Sequence, residues 1–580
     1  MLVSLLTLAV STAARVPLEP DVPLHDPATS SWEYRGPPAK DALVDLNIQL
    51  HIAQAGRDAL EAAFWAVSDP DSTSYGRHLN IEKIRDLLAV PADRVERVRD
   101  FFREYGAVEI EVGPFNDVLH VRMAAWDVER ALETKLGAFV HSSRPEMGGT
   151  LIRARARGSL PDHLAADVDI VGELHQFPRL RFQSAARSTV EERAAAHVES
   201  PPSLEGGAWP NACSVRACQG RVTPAVLAQR YRLPNASHAA DARSSMAVAE
   251  FQGQHFREQD LAAFSAACHA NASVAAVVGR NVSTGGVEAE LDIEYIKGVA
   301  PAVPLTVVYV QKFSLLKWAH KITGMAEPPH VHSVSYGNDE AQQSGQAYMT
   351  SVNTALMKAG ARGLTILFAS GDSGVCGREE CGYGPFGPKR FHPDFPATSP
   401  YQTAVGGTDF VTRDIGDETA WSRTGGGFSD VFSVPRYQAA AVAAFMNTSR
   451  ARGLLPPQKL WNAGGRGFPD VAALAGGKAP YCVATSGAFG GTTFEGISGT
   501  SAATPVIGGM IALLNARRLA NGKPPLGFVN PLFYSHPEAF HDVTSGCNKG
   551  LFWHGFTAIP GWDAASGLGT PNFEALAALV

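Results

Sequence analysis

The 580-residue chain reads as an α/β protein, a parallel sheet covered by helices on both faces and preceded by a smaller α+β domain. Three observations predict this. Short runs rich in Val, Ile and Leu (Ser245 to Glu250, Leu305 to Val310, His332 to Tyr336, Thr365 to Ala369) alternate with helical segments, and such continuous apolar strands belong to sheets buried on both sides. Between about Ser68 and Leu174 the periodicities follow the order helix, strand, strand, helix, that of split βαβ modules. A polar stretch from Ser184 to Gly207, ending in Ser200-Pro201-Pro202-Ser203 and Gly206-Gly207, separates the two and suits a linker open to proteolysis.

The smaller domain begins with Tyr75-Gly76-Arg77-His78-Leu79 and a helical stretch from Ile81 to Leu88. Val95, Val98, Phe102 and Tyr105 then recur at helical spacing, and Gly106 stops the run. Val108, Ile110 and Val112 alternate with Glu109 and Glu111, the spacing of a half-buried strand. A second strand from Val118 to Met123 and an amphipathic helix from Val128 to Leu136 complete it. It carries no catalytic motif of its own.

At the N-terminus an apolar run, Leu2 to Ala9, precedes the small residues Ser11 to Ala14. It is too short to span a bilayer and reads as a signal peptide over residues 1–14, despite lacking a basic leader. No later apolar run reaches membrane length. Sequons at Asn235, Asn271, Asn281 and Asn447 fit export. A net charge of -7 offers none of the phosphate-neutralising footprint of a nucleic-acid binder. The seven cysteines have no Cys-x-x-Cys spacing, and read as a few disulfides plus one odd thiol. The local pairs Cys213 with Cys218 and Cys376 with Cys381 are the first to test, although sequence does not fix the connectivity.

Three motifs carry chemistry. Ser498-Gly499-Thr500-Ser501-Ala502-Ala503-Thr504-Pro505 leads into an apolar helix, so Ser501 sits where free N–H groups and the helix dipole favour developing negative charge. A helix-capping serine would explain that motif equally well. Glu288-Ala289-Glu290-Leu291-Asp292 puts Glu288 and Asp292 on one helix face, about 6 Å apart along the axis. A solvated surface with Lys297 nearby is one reason for such a pair; sharing protons, with Asp292 orienting Glu288 as a base for Ser501, is the other. Leu367-Phe368-Ala369-Ser370-Gly371-Asp372-Ser373-Gly374 places Asp372 at the carboxyl end of a buried strand, where α/β sheets put their sites. Protonated, Asp372 could donate to the oxyanion of a tetrahedral intermediate together with the Ser501 N–H.

In chain order, Glu-x-x-x-Asp, then Ser-Gly-Asp-Ser-Gly, then Ser-Gly-Thr-Ser-Ala, the three motifs resemble the sedolisin family of serine-carboxyl peptidases over most of the chain. Ser333-Val334-Ser335-Tyr336-Gly337, Phe395-Pro396-Ala397, Gly406-Gly407-Thr408, Gly425-Gly426-Gly427-Phe428-Ser429 and Phe468-Pro469-Asp470-Val471 are similar to its other landmarks. The resemblance implies a subtilisin-like fold and a ferredoxin-like propeptide over residues 15–183 that inhibits its own enzyme. It further implies a processing linker at 184–207 and a peptidase domain over 208–580, opening near Thr223-Pro224-Ala225-Val226-Leu227. On this chain the implied base is Glu288, the orienting acid Asp292, the oxyanion donor Asp372 and the nucleophile Ser501. One structural Ca2+ is implied too, held by the carboxylates of Asp542 and Asp563 and the carbonyls of Val543, Ile559 and Gly561. The Cys213 to Leu233 opening and the long propeptide resemble secreted fungal tripeptidyl-peptidases, so the expected enzyme is a secreted, monomeric zymogen that releases tripeptides from polypeptide N-termini. An acid endopeptidase of the same family, or a non-catalytic peptide-binding homologue, is the alternative. Other peptidase signatures fail: Val375 follows the Gly-Asp-Ser-Gly segment, Asp-Ser-Gly occurs once, and the chain lacks the His-Gly-Thr of an ordinary subtilase. A glutamate base works near its own pKa, which sets an expected optimum of roughly pH 3 to 5.5.

Overall fold

The computed structural model describes residues 14–18, 32–141, 149–177, 186–187, 209, 213–234, 243–282, 284–311, 313–343, 345–377, 390–412, 414–487, 490–550 and 554–580. The signal segment, most of the linker, Asn235 and Cys381 therefore lie outside the described residues. The chain divides into two units, Met1–Asp58 with Ile81–Phe177, and Ala59–Asn80 with Pro178–Val580. The division is not linear along the chain as the sequence reading has it, because the Tyr75-Gly76 segment packs with the second unit.

The first unit is built on β1 (Leu43–Leu50), the start of α1 (Gln54–Ser68), α2 (Ile81–Leu88), α3 (Ala92–Glu104), β2 (Glu109–Val112), β3 (Val118–Ala124), α4 (Ala125–Leu132) and β4 (Val168–Gly172). Its antiparallel sheet has the order β2-β3-β1-β4, the ferredoxin-like arrangement. Val95, Val98 and Phe102 of α3 and Val128 and Leu132 of α4 are buried with Leu46, Ile48, Leu119 and Val121 in its core. Two details differ from the sequence reading. The central strand β1 precedes the expected start at Ser68, and α4 stops at Leu132, where Glu133 takes a positive φ of 46°, so that Leu136 opens a strand, Leu136–His141, rather than closing a helix.

In the second unit, α5 (Pro224–Tyr231), β5 (Met246–Phe251), α6 (Glu258–Cys268), β6 (Ala276–Val278), α7 (Val287–Val299), β7 (Leu305–Val310), α8 (Leu315–Gly324), β8 (Val331–Val334), α9 (Gln346–Ala361), β9 (Thr365–Ala369), β10 (Thr403–Phe410), β11 (Glu418–Ala420), β12 (Val471–Leu474), β13 (Tyr481–Ser486), β14 (Thr492–Ser498) and α10 (Thr500–Ala520) follow in order. The main sheet runs β6-β7-β5-β8-β9-β10-β11, with β12 also on β10. All its pairs are parallel except β10 with β11. Every residue of β5, β8 and β9 is buried, so both faces of the sheet are covered, as the unbroken apolar runs require. Helices α7 and α10 pack on each other and on this sheet.

The cysteines correct one expectation. Cys213 bonds Cys268 at the end of α6, and Cys218 bonds Cys482 in β13. Val222 pairs with Tyr481 and exchanges hydrogen bonds with Pro480 and Cys482, which lays the 218–222 segment along β13 and makes the distant partner the near one. The pairing of Cys376 with Cys381 falls outside the described residues. Cys547 is a free, half-buried thiol.

Candidate active site

Parallel strands end their ladders at one edge of the sheet, and the candidate residues gather there. β8 stops at Val334, one residue short of the Ser335 hydroxyl, which donates to Asp292 Oδ1 at 2.9 Å and lies 3.4 Å from the Ser501 carbonyl. β9 stops at Ala369, and Gly371, at φ 112°, swings Asp372 toward the start of α10. There Asp372 Oδ1 accepts from the Thr500 N–H at 2.7 Å and the Thr500 hydroxyl at 2.9 Å. Thr500 is the residue before Ser501, and its hydroxyl also binds the Gly371 backbone. Gly499 supplies the φ of 157° from which α10 begins.

Glu288 opens α7, with its own N–H donating to Gln254 Oε1 at 3.2 Å, and Asp292 lies one turn on. Both side chains are in the interior, with Glu288 5% and Asp292 0% exposed, which disposes of the solvated-surface reading. Ser501 is fully buried as well. Asp292, Asp372 and Ser501, from three separate stretches of sequence, are thus tied together by two linkers, Ser335 and Thr500, with Glu288 one helical turn from Asp292. Sequence reasoning quoted both linkers within motifs without giving either a role. Their signal was position: Ser335 directly follows a strand and Thr500 directly precedes the nucleophile candidate.

The other acids of α7 are also buried. Glu290, between the two candidates in sequence, has its carboxyl pushed up to about 10, first by burial and then by Asp260 of α6. Glu294 is pushed well up by burial alone in the main, and accepts from the Ala484 N–H. The Phe468-Pro469-Asp470-Val471 landmark is structural: Asp470 pairs with Arg466 at 2.5 Å, both fully buried, and accepts from the Ala404 N–H and the half-buried Tyr534 hydroxyl.

Far along the chain, Asp542 and Asp563 converge on one loop. Asp542 Oδ2 accepts from the Gly561 N–H at 2.8 Å, and Asp563 Oδ2 from the Ile559 N–H at 3.1 Å. Asp563 Oδ1 takes the N–H groups of Ala565 and Ser566. Burial pushes the Asp563 carboxyl up to about 7, and among the described residues no cationic side chain pairs with it. Val543, whose carbonyl faces the Ser566 hydroxyl at 3.4 Å, adjoins the same loop. Of the sequons, Asn271 and Asn447 are exposed, while the Asn281 amide donates to the Phe256 carbonyl. No helix among the described residues is long and apolar enough to cross a membrane.

Residues 30–177 match the family described as Pro-kumamolisin, activation domain, and residues 237–524 match the subtilase family. Among solved structures, Pseudomonas sedolisin, a serine-carboxyl proteinase complexed with pseudo-iodotyrostatin, is 26% identical over 62% of this chain and 97% of its own, with a TM-score of 0.49. Tripeptidyl-peptidase 1 of Rattus norvegicus is 37% identical over 559 residues, covering 92% of this chain and 91% of the relative. The Homo sapiens protein of that name is 36% identical over 564 residues, with the same coverage. By its match to tripeptidyl-peptidase 1 over 92% of its length, the chain belongs to the sedolisin family of serine-carboxyl peptidases. As a sedolisin it carries an activation domain ahead of a subtilase-like peptidase domain.

Proposed function

We propose that this sedolisin is a secreted zymogen that becomes an acid-acting tripeptidyl-peptidase, removing three residues at a time from free polypeptide N-termini. The observation that carries the reading is the convergence of Asp292 and Ser501 on Ser335, and of Asp372 on Thr500, in a chain matching tripeptidyl-peptidase 1 over 92% of its length. In the proposed reaction the Ser501 hydroxyl attacks the scissile carbonyl and its proton passes to the Glu288 carboxylate. Asp292, fixed by Ser335, orients Glu288. The oxyanion is met by the Ser501 N–H and by a protonated Asp372, whose Oδ1 is occupied by Thr500, so the donated proton sits on Oδ2. Glu288 then returns its proton to the leaving amine, which departs as the acyl-enzyme forms. A water deprotonated by Glu288 hydrolyses the ester and restores Ser501.

Every proton in this cycle rests on a carboxylate, so the enzyme works in acid and idles near neutrality. The activation domain acts as an intramolecular inhibitor until processing between Ser184 and Gly207 separates residues 15–183 from the peptidase at 208–580, which acts as a monomer. Asp542 and Asp563, with the carbonyls of Val543, Ile559 and Gly561, would hold Ca2+. The ion would supply positive charge to a desolvated carboxylate and tie the 559–563 loop to Asp542, with no part in the chemistry. An all-oxygen donor set around a buried acid with no cationic partner fits that ion. Calorimetric titration with Ca2+ would give saturable one-site binding that an Asp563→Asn chain lacks.

Product analysis on an unblocked peptide and its N-acetylated twin tests the cleavage mode. Tripeptides from the free peptide alone support the reading; equal cleavage of both makes the enzyme an endopeptidase.

A further inference from the structure

The segment Ala59–Asn80 precedes most of the activation domain in sequence but packs within the peptidase unit. Along α1, Leu60, Phe64 and Val67 are buried. The Phe64 ring lies 5.1 Å from Phe528 and 5.3 Å from Tyr401, centroid to centroid, over Gly360, where a Cβ would collide with it. Trp65 adds Tyr437 at 5.9 Å, and Glu61 accepts from the Tyr401 hydroxyl at 2.9 Å. The chain then turns through Gly76 at φ 72° and fastens Leu79 N–H to the Ala361 carbonyl at 2.8 Å.

His78 is the plug of this attachment. Its imidazole fills a socket floored by Gly363 and Gly527, since a Cβ on either would run into the ring, and its Nε2 is buried without a hydrogen-bond partner. The charged groups acting on it are Arg518, from the last turn of α10, and His330, from the turn before β8. Arg518 donates to the Pro524 carbonyl and lies over the Tyr75 ring; His330 shares its Nδ1 with the Ser245 hydroxyl. Arg243 donates to the Leu519 carbonyl at the same helix end. Arg362, at the end of α9, is turned onto the carbonyls of Thr323 and Met325, and the 524–527 turn bears no titratable side chain. Among the described residues no carboxylate pairs with His78, His330 or Arg518.

We infer that Ala59–Asn80 is a proton-operated clamp: His78 and His330, on taking up protons beside Arg518, place three uncompensated cations in one socket and expel the segment from the peptidase. The inference rests on the zymogen reading for its purpose but not for its physics. Burial first, and then Arg518 and His330, hold the docked His78 imidazole down at about 4, against 6.5 in the open. Burial lowers His330 as well. A base whose docked value is depressed favours docking above the open value and opposes it as pH falls toward the docked one. For His78 alone the docking constant drops roughly sixtyfold between pH 7 and 4.5.

The test is hydrogen exchange of residues 59–80 against pH in the full-length Ser501→Ala chain, which cannot process itself. Protection at pH 7.5, lost cooperatively toward pH 4.5, is expected. His78→Phe, which fills the socket without titrating, should retain at least tenfold more protection at pH 4.5. His78→Gln provides the same comparison if the phenylalanine variant does not fold. An unchanged pH midpoint in the variant that folds would overturn the clamp. In the chain with Ser501 intact, His78→Phe should process more slowly at pH 4.5 yet reach the same final activity. An exchange shift without any peptidase activity would leave the clamp standing and remove the enzyme reading instead.

Discussion

The two ends of the parallel sheet gather opposite kinds of titratable group. At the carboxyl end stand Glu288, Asp292 and Asp372, with Glu250 of β5 against the Tyr336 hydroxyl. At the amino end His78, His330 and Arg518 share one socket, and the carboxylate buried there, Asp470, is matched by Arg466. Lowering the pH adds protons at both ends with unlike results. At the carboxyl end it removes negative charge and, in the proposed reaction, readies Asp372 to donate; at the amino end it adds positive charge to the His78 socket. One signal can therefore arm the site and loosen what is held on the far edge, because the sheet keeps the acids and bases apart.

The largest expected effect is at the carboxyl end. Ser501→Ala should cut tripeptide release by at least about 10⁴-fold without altering the circular dichroism spectrum; a smaller loss moves the nucleophile elsewhere. At the amino end, Arg466→Met leaves Asp470 buried without its counter-charge and should cost about 3 to 5 kcal/mol in urea unfolding. Little change would mean that Asp470 is not held as an ion pair. Asp372→Asn should lower kcat by on the order of a hundredfold, because an amide donates more weakly than a protonated carboxyl and carries no acid. That loss should be smallest at the highest pH at which the enzyme still turns over, where Asp372 itself would be ionised.

The effect smallest per unit of pH concerns stability. Glu290 has a folded value near 10 against 4.5 exposed, so folding favours its protonated form. Its contribution is complete below about pH 4.5 and is lost as pH rises toward 10, by at most about 1.4 kcal/mol per unit. Melting temperatures at pH 4.5 and 7.5 should fall less with pH in Glu290→Gln; an equal slope would show that Glu290 escapes its burial.

The legible parts of this molecule are those written in periodicity or in a short motif. Buried runs such as Leu305 to Val310 are strands within the bounds the sequence predicts, with five of six residues buried as a strand covered on both faces requires. Glu288 and Asp292 share a face because helix geometry is local. What the sequence left unread depends on distant approach. Cys218 reaches Cys482 only because Val222 pairs with Tyr481, and the place of Ser335 just after a strand does not say which groups its hydroxyl bridges. His78 reads as an ordinary loop residue until Gly363 and Gly527, hundreds of positions away, are seen to shape its socket.

The account turns on Ser501 being served by carboxylates rather than by an imidazole. The most direct measurement is the pH profile of kcat/KM for the processed enzyme on an unblocked tripeptidyl substrate. A maximum between roughly pH 3 and 5.5, with little turnover at 7, is the result expected of a glutamate base and a protonated aspartic donor. A maximum above pH 7 would contradict it.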